Sequence, residues 1–98
     1  MTAIYHRVAL IGLGLIASSM AHAMRAGGLA TEIVGYAKSA ETRATALEIG
    51  LVDRVAQSAA EAVAGADLVV LAVPVGAMGA IAAEIGPHLA PGCTVTDV

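Results

Sequence analysis

One cysteine, two aromatic residues, three prolines and five basic residues are spread over 98 positions. Each scarcity excludes something. Cys93 alone can close no internal disulfide, so the chain is no disulfide scaffold, and a reducing cytoplasm is the simplest setting. Neither Trp nor Phe occurs, and both aromatics are Tyr, so a core must be assembled from Ala, Val, Leu, Ile and Met. Five basic against eight acidic residues leave a net charge of −3, which argues against nucleic acid or an anionic membrane as partner. The length allows one small domain.

What is abundant is aliphatic. The chain is 58% hydrophobic, and runs of Val, Leu, Ile and Ala suit parallel strands that helices cover on both faces. Two uncharged stretches need a decision. Residues 8–24 follow Arg7 and hold Ala21-His22-Ala23, which has the form of a signal-peptidase site. Two glycines, two serines and His22 interrupt that stretch, and the remainder lacks secreted character. The second stretch, residues 68–83, is broken by Pro74. Neither is read as a membrane span.

Punctuation divides the chain into alternating elements. Residues 7–11 read as a first strand and residues 15–26 as a helix, with Ile16, Met20, Ala23 and Met24 as its buried stripe and Gly27-Gly28 as its stop. Residues 32–36 form a second strand. Ser39 is placed to cap a second helix running to Ile49. A short, weakly marked strand falls within residues 51–55, and Ser58 caps a small helix ending at Gly65. Residues 67–73 are the clearest buried strand, with Asp67 capping its start and Pro74 suited to the first turn of the next helix. That helix runs to Ile85, Gly86-Pro87 breaks it, and residues 93–97 form a last strand. The expected fold is α/β, a Rossmann-like doubly wound parallel sheet.

Ligands of such sheets sit at the carboxyl ends of the strands. The motif Gly12-Leu13-Gly14-Leu15-Ile16-Ala17 stands at the end of the first strand and opens the first helix. Gly12 permits a tight exit, Gly14 lets the main chain approach a pyrophosphate, and the small Ala17 allows close helix packing. The helix N-terminus then offers free N–H groups to the anion. About 20 residues on, a dinucleotide site for NAD carries an acidic residue for the ribose hydroxyl. Here Tyr36-Ala37-Lys38-Ser39 stands there, with Arg43 one turn later. The acid is missing, and Lys38, Ser39 and Arg43 suit a 2′-phosphate, favouring NADP over NAD. The plainer alternative makes Lys38 and Arg43 ordinary solvated charges. Ala72, Val73 and Pro74 line the path toward the nicotinamide. Asp97 ends the last strand beside the site, or is a polar loop residue. His6, His22 and His88 lack metal-ligand spacing, and no nucleophile–base pair is present.

Gly12-Leu13-Gly14-Leu15-Ile16-Ala17-Ser18-Ser19-Met20 resembles the opening of the prephenate and arogenate (cyclohexadienyl) dehydrogenases. Ala46-Leu47-Glu48-Ile49-Gly50-Leu51-Val52-Asp53 resembles the end of that family's second helix. The run from Ala66 to Val75 resembles its fourth strand, and Thr94-Val95-Thr96-Asp97-Val98 its fifth. Ala17 departs from the commoner glycine, and Ala37 from a frequent Asp. The resemblance implies oxidative decarboxylation of prephenate or arogenate in tyrosine biosynthesis. It also implies that residues 1–98 are the dinucleotide-binding part of a longer, cytoplasmic, homodimeric enzyme. A Gly-Ser-x-Lys segment, a catalytic histidine and a helical dimerisation domain would follow, so no catalytic residue is expected here and this portion alone should be inactive. Rival readings are another NAD(P)H oxidoreductase, such as a pyrroline-carboxylate reductase or 3-hydroxyacid dehydrogenase, and a non-catalytic nucleotide-binding module.

Overall fold

The computed structural model describes residues 5–12, 15–48, 50 and 52–97. Strands and helices alternate: β1 (Tyr5–Ile11), α1 (Leu15–Gly27), β2 (Ala30–Tyr36), α2 (Ala40–Glu48), β3 (Arg54–Val55), α3 (Ala59–Val63), β4 (Leu68–Leu71), α4 (Val75–Ile85) and β5 (Thr94–Asp97), with a 3-10 turn at Gly86–His88. The five strands make one sheet in the order β3-β2-β1-β4-β5, and every neighbouring pair is parallel. The order reverses between β1 and β4. This is the expected doubly wound Rossmann-like sheet, and its crevice lies where the two halves diverge.

Alternation along the central strands builds both cores. Ala9 and Ile11 of β1 face one side with Val34, Val69 and Leu71, covered by Ala59, Ala62 and Val63 of α3 and Ile85 of α4. Val8 and Leu10 face the other with Ile33 and Val70, covered by Ala21 and Met24 of α1 and Ala46 of α2. A strand buried on both faces has no room for polar residues, hence the unbroken aliphatic runs.

Several boundaries shift. β1 begins two residues earlier than expected and β5 one residue later, at Thr94. Of the 51–55 stretch only Arg54 and Val55 form a strand, and Leu51 lies outside the described residues, as does Ile49. Pro74 stands at the N-cap of α4, immediately before its first turn. Ala23 of the predicted α1 stripe is exposed; Ala21, three residues before Met24, is buried instead. Alanines carry too little apolar area to fix a helix's rotation by pattern alone. Ser58 does cap α3, accepting the Glu61 N–H at 3.1 Å.

Asp67 stands immediately before β4 and does more than precede it. Its Oδ2 accepts the His6 N–H at 2.9 Å and its Oδ1 the Arg7 N–H at 2.8 Å, so it clamps β4 to the start of β1. Burial pushes this carboxyl's pKa up, but the N–H groups of His6, Arg7 and Asp67 itself outweigh that and hold it below its ordinary value. A depressed pKa in the folded state contributes stability that is present above the unfolded pKa and lost as pH falls through the folded one. The melting temperature is therefore expected to fall below pH about 4. Asp67→Asn should melt lower at neutral pH and show a shallower acid decline. An identical acid slope in both proteins would remove Asp67 as its source.

Candidate nucleotide-binding site

β1 ends in a turn that only glycine suits. Gly12 has φ +92°, and its N–H donates to the Tyr36 carbonyl at 2.7 Å, while the Ala72 N–H donates to the Ile11 carbonyl at 2.8 Å. These bonds draw the carboxyl ends of β2, β1 and β4 together. A Cβ on Gly12 would fall on the Ala72 carbonyl and within 3.1 Å of Val73 Cγ1. Leu13 and Gly14 lie outside the described residues. Of Leu15, Ile16 and Ala17 only the backbone is described, as the start of α1. No acidic residue occupies that first turn to offset the positive end of the helix.

At this edge lies a cavity of about 470 Å³. Ile11 and Gly12 form its floor, Tyr36, Ala37 and Lys38 one wall, and Val73 and Pro74 the corner. Its other wall is one face of α4, made by Ala77, Ala80, Ile81 and Glu84. The size suits a small-molecule or cofactor site. The structure thus brings Gly12, Tyr36, Ala37, Lys38, Val73 and Pro74 around one space. Ala72 contributes its carbonyl beneath Gly12. Asp97 stands level with Leu71 at the carboxyl end of β5, but its side chain lies outside the described residues. The α4 wall was not anticipated: residues 77, 80, 81 and 84 share one helical face, but the helix is small or apolar on its other faces too.

The β2–α2 turn is held from within. Arg43 Nη1 donates to the Ala37 carbonyl at 2.6 Å and the Lys38 carbonyl at 3.3 Å, and its guanidinium carbon lies 5.7 Å from the centre of the Tyr36 ring. Ser39 Oγ accepts the Thr42 N–H at 3.4 Å, so it caps α2 as expected. Ala37 is buried, while Lys38 and Ser39 are exposed.

Charge is divided between the two edges. At the amino edge Arg7 Nε meets Glu32 at 2.5 Å, Arg54 meets the same carboxylate at 3.5 Å, and Arg25 meets Asp53 at 3.2 Å. The cleft there, about 570 Å³ and lined by His6, Arg7, Thr31, Glu32, Asp53 and Gly65, is larger. Its charges already neutralise one another, so it offers little to a charged ligand. Among the described residues Lys38 and Arg43, at the carboxyl edge, join no ion pair. His6, His22 and His88 are exposed, and among the described residues no cluster of His, Cys, Asp and Glu could hold a metal. No helix among those residues is long and apolar enough to cross a membrane.

This chain resembles known proteins in sequence and in fold. The chain is 40% identical over 94 residues to the cyclohexadienyl dehydrogenase of Zymomonas mobilis, covering 96% of this chain and 32% of that protein. It is 42% identical over 93 residues to a pyrroline-5-carboxylate reductase of Pseudomonas aeruginosa, covering 94% and 34%. The crystal structure of prephenate dehydrogenase from A. aeolicus, in complex with hydroxyphenyl propionate and NAD+, superposes with a TM-score of 0.85 at 28% identity, covering 94% and 32%. The chain thus spans about a third of the length of these relatives. Residues 20–98 match the family described as prephenate dehydrogenase, nucleotide-binding domain, and the chain belongs to that family.

Proposed function

We propose that this chain is the cofactor-binding part of a dehydrogenase that oxidises prephenate or arogenate, with loss of carbon dioxide as the substrate ring becomes aromatic. The carrying observation is the cavity at the carboxyl edge, with Gly12 at its floor and Ala37 and Lys38 in its wall. A bound nicotinamide dinucleotide supplies the hydride acceptor. The chain's own part is to hold it. The turn at Gly12 and the N-terminus of α1, with Gly14, Leu15, Ile16 and Ala17 between or within them, would take the pyrophosphate. Ala37, Lys38, Ser39 and Arg43 would surround the adenosine ribose. Val73 and Pro74, with Asp97 further along the edge, would lie toward the nicotinamide ribose.

NADP is the preferred cofactor in this reading, with NAD the weaker one. Lys38 and Arg43 are left out of ion pairs with described residues, whereas the three arginines at the amino edge are consumed by Glu32 and Asp53. Ala37 supplies no carboxylate to repel a 2′-phosphate. The complete enzyme is read as a cytoplasmic homodimer with a small-molecule substrate. A net charge of −3 and the pairing of most basic residues count against nucleic acid or a membrane surface as partner.

Calorimetric titration with NADP+ and NAD+ should give at least about tenfold tighter binding of NADP+, the worth of one charge-assisted hydrogen bond. Equal affinities would remove the cofactor assignment. For the reaction, the complete enzyme should reduce NADP+ in the presence of prephenate or arogenate. Reduction of pyrroline-5-carboxylate instead would favour the rival that the Pseudomonas relative represents.

A further inference from the structure

A site for adenosine has a base to recognise as well as phosphates. Among the described residues lining the cavity, Glu84 is the one acidic side chain. It stands two helical turns beyond Ala77 on the same face of α4, and the small side chains of Ala77 and Ala80 leave space along that face. Its carboxylate is positioned rather than free: Oε2 accepts the Ala60 N–H at 3.3 Å, in the first turn of α3. That bond engages one oxygen. Among the described residues the other, Oε1, has no hydrogen-bond partner.

We propose that Glu84 reads the exocyclic amine of the adenine ring, an inference that rests on the dinucleotide reading of this cavity. An ionised carboxylate only accepts hydrogen bonds. Adenine carries a donor amine at its 6-position, so the pair is complementary. Hypoxanthine carries a carbonyl there, and two acceptors would face each other with no hydrogen bond between them. Tyr36, Pro74 and Ile81, which line the same cavity, supply apolar surface for a planar ring. Recognition of the base is thereby separated from that of the 2′-phosphate, which falls to Lys38 and Arg43.

A purely structural alternative is that Glu84 only braces α4 against α3. The two differ in what a base change does. Binding of NADP+ and of its deaminated hypoxanthine counterpart is measured by calorimetry for the protein and for Glu84→Gln. Glutamine keeps an acceptor for the Ala60 N–H yet also carries a donor amide. The protein should bind the adenine form at least about tenfold more tightly, and Glu84→Gln should bring the two affinities close to parity. If Glu84→Gln weakens both equally and keeps the ratio, Glu84 is a brace and the proposal fails. No discrimination by the parent protein also overturns it, while leaving the dinucleotide site standing. Failure of the parent to bind either compound overturns the dinucleotide reading and the proposal together.

Discussion

Gly12→Ala should lower the melting temperature by at least about 10 °C and abolish detectable dinucleotide binding. Two costs combine. At φ +92° an L-residue is strained by about 1–3 kcal/mol. The added Cβ also lands on the Ala72 carbonyl and within 3.1 Å of Val73 Cγ1, and a backbone carbonyl cannot rotate aside as a side chain can. Relief requires β1 and β4 to part at their carboxyl ends, where the Ala72–Ile11 hydrogen bond now holds them. Overpacking of this kind costs a further 1–3 kcal/mol or so. For a domain of this size each kcal/mol moves the midpoint by about 4–8 °C.

Gly28 is the natural control, since it too has positive φ, at +65°, but a Cβ there meets nothing within 4 Å. Gly28→Ala should therefore show the strain alone, a smaller loss of stability, and retain binding. Thermal melts followed by circular dichroism, with calorimetric titration of NADP+, separate the two. If Gly12→Ala melts like Gly28→Ala and still binds, the close approach at the head of the crevice is not what shapes the site.

The same residues explain why much of this edge was legible in the sequence. Gly12 follows an aliphatic run and precedes a helix, and few backbone arrangements need a glycine there. Ala37 could be placed by counting from the motif. The α4 wall was harder, because Val75–Ile85 is almost wholly small or apolar apart from Glu84, and a helix apolar all round does not announce its inward face. Ala23 and Ala21 could not be told apart for the same reason. Polar pairings other than helix caps were beyond reach. Asp67 binds β1 residues 60 and 61 positions away, and Arg43 spends Nη1 on two carbonyls of its own turn, neither of which composition or periodicity encodes.

That last finding sharpens the expected outcome of Ala37→Asp. Ala37 lines the cavity, and its carbonyl accepts Arg43 Nη1 at 2.6 Å, so a carboxylate placed here enters the neighbourhood of both Lys38 and Arg43. It would do two things to cofactor choice. It supplies an acceptor for the 2′-hydroxyl of NAD, and it both repels the 2′-phosphate of NADP and competes for the cations that would bind it. Charge-assisted hydrogen bonds of this type are worth about 1.5–3 kcal/mol each, or roughly ten- to a hundredfold in affinity. The ratio of NADP to NAD affinity should therefore fall by at least about tenfold, mostly through weaker NADP binding. Arg43→Leu provides the complementary case. It removes the clamp on the Ala37 and Lys38 carbonyls along with the charge, so it should weaken both cofactors, NADP more than NAD. Kd values for both cofactors, measured on proteins whose melting curves show them folded, decide the matter. An unchanged ratio in a folded Ala37→Asp protein would move the ribose subsite away from the β2–α2 turn.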